Sequence, residues 1–499
     1  MRRILAPSVA DGRAGVSRRQ ILVAGSLATL PLLGGAGGHR AASSMRHPRR
    51  GDTGPGLRVT TTPGLTTVLA RSPLPPFAHV TAGAHDVTVS PQHTFQPFLG
   101  VGAALTDAAA YVLTHYMTAA QRGAVLADLF SASGRNWQML RVCMGSPDFR
   151  SEQVGYTYDD GSADPSLSRF SVAHDTAFIT PVIREILAIN PAVRIIATPW
   201  TPPAWMLASG SFESGGGTFD DRYLASYARY FVKFVRAYAS LGIPIWAVTA
   251  QNEAVGGWFL SLRQSQEISF VGSYLGPALA SAGLGSVKIF AMDDQWSKCS
   301  YGQAVYTSSA SRSHTAGIAY HGYGGSPAVM SNSYGEQHLT EWRSLVSESL
   351  GITMAGMAGG YVAGGVSNWA RSVILWNLAL DQNGEPNQDK PGRRGVVTVN
   401  NTTGKVTRNS EYYALAHLSM FAQPGAHRCH SPSYGPAYTA YTTYPTDITT
   451  TALINPDGSV VLYIYNGAPV PKTFKIIDGR NQTGFTATMV PGELSTFIW

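Results

Sequence analysis

Trp246-Ala247-Val248-Thr249-Ala250-Gln251-Asn252-Glu253 is the stretch that decides how the chain is read. Residues 246–250 are an apolar run of strand length, and the run ends abruptly in two amides and a carboxylate. A buried strand that stops at such side chains is what the C-terminal end of a parallel barrel strand presents. A second run, His338-Leu339-Thr340-Glu341-Trp342, ends in another carboxylate. Glu341 follows Glu253 by 88 residues, and one strand–helix–strand unit takes about 30, so the interval holds about three units. In a closed eight-stranded barrel both carboxylates then open on one face. Either Glu alone reads as a surface residue beside a loop. The pair, with Asn252 before the first, reads as two carboxylates across one pocket, the arrangement used in glycosidic bond hydrolysis.

The flanking sequence supplies the rest of the barrel. Phe98–Ala103, Trp137–Val142, Val193–Thr198, Val287–Met292, Gly317–Tyr320 and Val373–Trp376 are further strands. They lead into Thr106-Asp107, Asp148, the Pro199–Trp205 loop, Asp293-Asp294-Gln295, His321-Gly322-Tyr323 and Trp376-Asn377. Helices are expected over Tyr116–Phe130, Thr176–Ile189 and Asp221–Leu241. In the last, Tyr227, Phe231, Phe234 and Tyr238 share one face, an aromatic stripe that packs on a barrel. The loop Pro199-Trp200-Thr201-Pro202-Pro203-Ala204-Trp205 makes a rigid aromatic wall. For Trp205, stacking on a sugar and capping the core stay equally open.

The first 50 residues stand apart. Ser17-Arg18-Arg19-Gln20-Ile21-Leu22, an apolar run to Leu33 and small residues to Ala41-Ala42 fit a twin-arginine export signal over 1–42. The apolar run is shorter than the roughly 20 residues of a membrane span. Residues 1–50 hold nine Arg against one acid, Asp11, a net of +8, while the whole chain is +7. The remainder is therefore −1, and the high pI is no argument for nucleic-acid binding. Cys143, Cys299 and Cys429 allow at most one disulfide, too few for a disulfide framework. No Cys or His pair has zinc-site spacing, and no cofactor is expected.

Residues 43–56 read as a linker. Short alternating segments over 57–97 and strands at 439–443, 451–455, 460–466, 473–477 and 494–499 read as antiparallel β-structure, joined by turns such as Pro456-Asp457-Gly458. The expected architecture is a (β/α)8 barrel over 98–385. A β-sandwich is built from 57–97 and 411–499, so the barrel lies between its two parts.

Taken together, Gly100–Asp107, Leu140–Phe149, Ala197–Pro203, Trp246–Glu253, Leu275-Gly276-Pro277, Asp293-Asp294-Gln295, Trp376–Leu380 and Pro456–Trp499 resemble glycoside hydrolase family 30, the glucosylceramidase-like enzymes. The resemblance implies retaining hydrolysis of β-glycosides on a (β/α)8 barrel with a side β-sandwich. It implies Glu253 as acid/base and Glu341 as nucleophile, with sugar contacts at Asp148, Trp200, Asn252, His321, Tyr323 and Trp376. Two departures stand out: Ala254 follows the first Glu, where the family often has Pro, and Trp342-Arg343 follow the second. Both bear on the leaving-group side, so ceramide specificity does not transfer with the motif.

Two carboxyls about 5 Å apart disfavour each other's charge, so Glu253 is expected to keep its proton while hydrogen bonds from groups such as Tyr323 keep Glu341 ionised. The expected substrate is a β-glucoside, either glucosylceramide-like or β-glucan. β-Fucosidase, β-xylosidase and β-1,6-galactanase activities stand behind it. From another class, a silent carbohydrate-binding protein would be expected to lack one carboxylate, and a wall-structural protein would lack the aligned strand ends.

Overall fold

The computed structural model describes residues 56–211, 217–256, 260–388 and 392–499. The export signal and nearly all of the 43–56 linker lie outside the described residues. Eight parallel strands close into a barrel: β1 (Gly100–Leu105), β2 (Met139–Met144), β3 (Arg194–Pro199), β4 (Ala247–Thr249), β5 (Lys288–Gln295), β6 (Gly317–His321), β7 (Glu336–Glu341) and β8 (Ala370–Leu375). Neighbours pair in sequence order, and β8 returns to β1 through Ser372↔Gly100 to Leu375↔Ala103.

Side chains alternate along each strand, and here the alternation builds layers. Met139, Ile196, Ala247, Phe290, Ala319 and Ile374 form one apolar cluster inside the barrel, with Leu99, Trp246 and Ala316 against it. Two residues further on, the same strands carry Arg141, Thr198, Thr249, His321 and Trp376. On β5 the step is three residues. Met292 pairs with Ala319 and Asp294 with Tyr320, leaving Asp293 as the extra residue of a bulge. Met292 and Asp293 have φ of +73° and +54°. Bulges re-aim side chains next to sites, and this one turns Asp293 inward.

The β-sandwich uses both ends of the described chain. Leu57–Thr61 lies between Ala70–Pro73 and Leu494–Ile498. Val87–Pro97 pairs antiparallel with His427–His430 on one side and parallel with Lys472–Asp478 on the other, joining the two sheets.

Several local expectations need correction. The first helical region is two helices, Asp107–His115 and Ala119–Phe130, rather than one from Tyr116. Thr106 caps the first, and a Thr118–Gln121 capping box starts the second. Residue 411 lies in a helix, Ser410–Ser419, and sandwich pairing on that side resumes only at His427. Residues 439–443 form a turn closed by a single bridge, Thr439↔Thr443, not a strand. All three cysteines are free, with Cys143 and Cys429 buried.

One helical run escapes the sequence pattern altogether. Residues 350–367 are continuously helical between β7 and β8, with π-type turns over Ala355–Gly364. Glycine weakens helices, so the pattern here reads as loop. The glycines allow close approach instead. A Cβ on Gly360 would come within 2.4 Å of the Tyr438 ring, and one on Gly359 within 2.7 Å of Tyr465. Both rings belong to the C-terminal region, so this helix is a seam between barrel and sandwich.

Candidate active site

The polar layer converges on one buried guanidinium. Arg141 has no exposed surface. Its Nη1 donates to Glu341 Oε2, and its Nη2 donates to Asn252 Oδ1 at 2.6 Å and Asp293 Oδ2 at 2.9 Å. Trp200 and Trp376 stack on each other at 4.9 Å, and the guanidinium lies 4.9 and 5.5 Å from their ring centres. Arg141 is pinned by three oxygens and two aromatic faces.

Asp293 is the matching anion. It accepts from Arg141, from the hydroxyls of Thr198 (3.1 Å), Thr249 (2.8 Å) and Thr340 (2.6 Å), and from His321 Nε2 (3.2 Å). Burial would raise its pKa, but Arg141, His321 and these donors hold it far below the usual carboxylate range.

His321 is fully buried and spans the site. Nδ1 lies 3.3 Å from Glu253 Oε1, and Nε2 lies 3.8 Å from Glu341 Oε2. Burial disfavours its charge, yet the Glu341 charge and the hydrogen bonds to Asp293 and Glu253 overcome this and raise its pKa to about 10. The ring is therefore an imidazolium at neutral pH. For Glu253 the order reverses: burial raises its pKa, and the His321 hydrogen bond and charge, then Arg141, bring it below the usual value. The expectation that Glu253 keeps its proton is thus corrected. It rested on the repulsion of two carboxylates and took no account of the cations between them. The proton sits on His321.

Glu253 and Glu341 do lie across one pocket. Glu253, His321 and Glu341 each offer an atom within 4.8 Å of the others. Tyr323 donates to Glu341 Oε1 at 2.9 Å, and Arg343 lies 5.6 Å from the Tyr323 ring. The Glu253 side chain is 29% exposed and that of Glu341 7%, so Glu253 is the one nearer solvent.

The remaining sequence candidates divide. Asn252 has its oxygen on Arg141, leaving the amide NH2 as its donating end. Trp200 and Trp376 are 4% exposed and form the wall behind Arg141. Asp148 is half-buried beyond β2, and its carbonyl accepts from Gln388 N at 2.8 Å. Trp205 gives its indole N–H to Asp159 O at 2.9 Å and meets Tyr223 edge-on, so it packs.

Arg141 and Asp293 were not among the sequence candidates, although Arg141 was visible. A charge inside an apolar strand is almost never buried unpaired, and Leu140-Arg141-Val142 is such a case.

With the site described, the chain can be set beside known proteins. Residues 98–351 match the glycosyl hydrolase family 30 TIM-barrel domain, and 425–493 match that family's β-sandwich domain. The chain belongs to glycoside hydrolase family 30. It is 30% identical over 427 residues to endo-1,6-β-D-glucanase neg1 of Aspergillus fumigatus, covering 78% of this chain and 83% of that protein. It is 30% identical over 451 residues to lysosomal acid glucosylceramidase of Mus musculus, covering 83% of each. Among solved structures, the endo-β1,6-glucanase BT3312 is similar with a TM-score of 0.78 and 31% identity, covering 89% of this chain and 100% of that one. This family 30 protein is a glycoside hydrolase, related to both kinds of enzyme.

Proposed function

We propose that the enzyme hydrolyses β-glucosidic bonds with net retention, using Glu341 as nucleophile and Glu253 as general acid and base. One observation carries the reading: one oxygen of Glu253 and one of Glu341 lie within 4.8 Å of each other, which brings the two carboxyls to the close spacing of a retaining pair. Retaining pairs stand about 5–5.5 Å apart, whereas inverting pairs leave about 6.5–9.5 Å for a water.

The charge arrangement supplies a proton path. Glu341 attacks the anomeric carbon, and the bond it forms consumes its negative charge. That charge is the main one holding the proton on His321. As it disappears, Nδ1 passes its proton to Glu253 at 3.3 Å, and Glu253 hands that proton to the departing oxygen. In the second step Glu253 takes a proton from water, the water attacks the anomeric carbon, and Glu341 leaves as a carboxylate, whose returning charge draws the proton from Glu253 back to His321 Nδ1. Arg141 and Tyr323 hold Glu341 in line throughout. The Asn252 NH2 donates to the sugar 2-hydroxyl, a contact that tightens in the transition state. Asp148 and Tyr323 complete the sugar contacts, while Trp200 and Trp376 shape the wall.

The preferred substrate is a β-glucan, as named for two of the relatives. The Arg343 cation beside Tyr323 suits a hydrated sugar as leaving group better than alkyl chains. Glucosylceramide is the second reading, favoured by the mouse relative. We place the enzyme outside the cell on the strength of the Ser17–Leu22 pattern. An N-terminus near Ala42 on protein recovered from the medium is the expected result; an intact leader there would count against it.

The test follows the anomeric proton by NMR during cleavage of an aryl β-glucoside. β-Glucose should appear first; α-glucose first would overturn retention. Rates on β-1,6-glucan, glucosylceramide in detergent, and aryl β-glucoside, β-xyloside, β-fucoside and β-galactoside decide the sugar. A clear preference for a non-glucoside overturns the glucosyl assignment. Glu341→Gln should lose turnover on every substrate, by several orders of magnitude. Glu253→Ala with azide should yield a β-glucosyl azide; an α-azide would exchange the two roles.

A further inference from the structure

Glu253 stands at a backbone φ of +48°, a left-handed conformation that a side-chain-bearing residue keeps only where its surroundings hold it. The turn that carries it is fastened by three N–H groups. Asn252 N donates to Pro199 O and Glu253 N to Asp293 O, each at 2.9 Å. Both acceptors are backbone carbonyls. The third, Val255 N, donates to a side chain, Asp294 Oδ2, at 2.9 Å.

Asp294 is 1% exposed, and its other oxygen accepts from Gln295 N at 2.7 Å. It reaches the turn because of the β5 bulge. The extra residue sends Asp293 inward to Arg141 and His321 and leaves Asp294 facing the neighbouring loop. The two adjacent aspartates thus divide the work, one holding the charges of the site and the other the loop that delivers Glu253.

We propose that Asp294 is a positioning residue for Glu253: by accepting the Val255 N–H it holds the turn that sets the Glu253 carboxyl against the leaving-group oxygen. The proposal rests on Glu253 being the acid/base. A displacement of about 1 Å can cost on the order of 100-fold in rate, and here the cost falls on one step, protonation of the leaving group.

The experiment compares Asp294→Ala, Asp294→Ser and Asp294→Asn on aryl β-glucosides graded from dinitrophenol to phenol as leaving group. Asp294→Ala should lose about 100-fold in kcat on the phenyl glucoside and little on the dinitrophenyl glucoside, which departs without acid help. Asp294→Ser, too short to reach Val255, should behave alike and carries the comparison if the alanine variant does not fold. Asp294→Asn keeps an acceptor oxygen at the same reach and should retain the wild-type profile.

Equal loss across the series, or none, would overturn the proposal, because a merely structural residue slows every substrate alike. A collapsed profile in Asp294→Asn would overturn it as well, by showing that charge and not the hydrogen bond matters. Glu253→Ala runs in parallel. If its own profile is flat, the acid/base assignment fails; if it is steep while Asp294→Ala is flat, only the present proposal fails.

Discussion

Two layers of the same barrel, two residues apart, follow opposite physics. The lower one (Met139, Ile196, Ala247, Phe290, Ala319, Ile374) is apolar apart from His338, which lies against Phe290 and shares a hydrogen bond with Ser372. The upper one places Arg141, Thr198, Thr249, Asp293, His321 and Thr340 in equally complete burial. Burial of the first set stabilises in proportion to area. Burial of the second is unfavourable until each charge meets an opposite charge and each donor an acceptor. The difference teaches where the fold is made and where it is used. The lower layer tolerates any apolar set of the right volume. The upper layer sets two cations, Arg141 and His321, against three carboxylates, Asp293, Glu253 and Glu341, and removing one charged member leaves its buried partners exposed to the full cost of burial.

The largest expected break comes from that balance. Arg141→Met keeps much of the volume but strands Asp293 and Glu341 without their guanidinium. Removing one partner of a buried pair costs about 3–5 kcal/mol, so chemical denaturation should show a loss of that size, with activity gone. An Arg141→Met protein within about 1 kcal/mol of wild type would mean that the layer is not balanced as described.

The lower layer should break differently. Ile196→Ala deletes buried methyl groups and should cost about 2–4 kcal/mol of stability. Its kcat on an aryl glucoside, measured well below the melting temperature, should stay within about threefold of wild type. A large loss of kcat would show that the two layers are mechanically one.

Much of this was legible in the sequence, and the failures have physical causes. The strand ends carrying Glu253 and Glu341 were readable because an apolar run must stop where it reaches a polar cleft. The return of the chain's two ends into one sandwich was readable from period-two patterning on both flanks. The extension of β5 through Asp293 and Asp294 was not. Two adjacent acids read as a loop, and only Arg141, His321 and the three threonines make burial of Asp293 tolerable. The 350–367 helix was hidden because glycine lowers helix propensity while permitting the close approach to Tyr438 and Tyr465. The proton on His321 was out of reach for a similar reason, since the charges that hold it come from β5, β7 and the loop after β4.

The layers should also respond differently to pH. His321 has a folded pKa raised to about 10, against about 6.5 for an unperturbed His. A raised pKa stabilises the fold fully below the unfolded value, and that contribution is lost as pH rises through the folded one. The stability difference between wild type and His321→Asn should therefore be largest near pH 6 and shrink between about pH 7 and 10. The cost of Ile196→Ala should be flat over the same range. A His321→Asn cost that grows with pH would reverse the assignment of the proton.

The smallest effect tests whether the upper layer is a network or only two large charges. Thr249 sits directly above Ala247 on β4, and its hydroxyl lies 2.8 Å from Asp293 Oδ2. Thr249→Val keeps the branched shape that suits a strand and removes only the hydroxyl. A hydrogen bond to a charged group is worth about 1.5–3 kcal/mol, and Arg141, Thr198, Thr340 and His321 still serve Asp293, so a loss near the lower end is expected. Asp293 is held below its ordinary pKa. Its contribution is therefore present above about pH 4 and lost only as pH falls through the lowered folded value. Losing one donor moves that folded value up, so the valine variant should lose less stability than wild type during acid titration, and the difference between the two should be full above about pH 4 and shrink below it. The same substitution in a dry layer would be neutral or stabilising at every pH. A Thr249→Val enzyme that is no less stable than wild type, with an unchanged acid limb, would mean that Arg141 and His321 alone hold Asp293 and that the threonine hydroxyls only fill space.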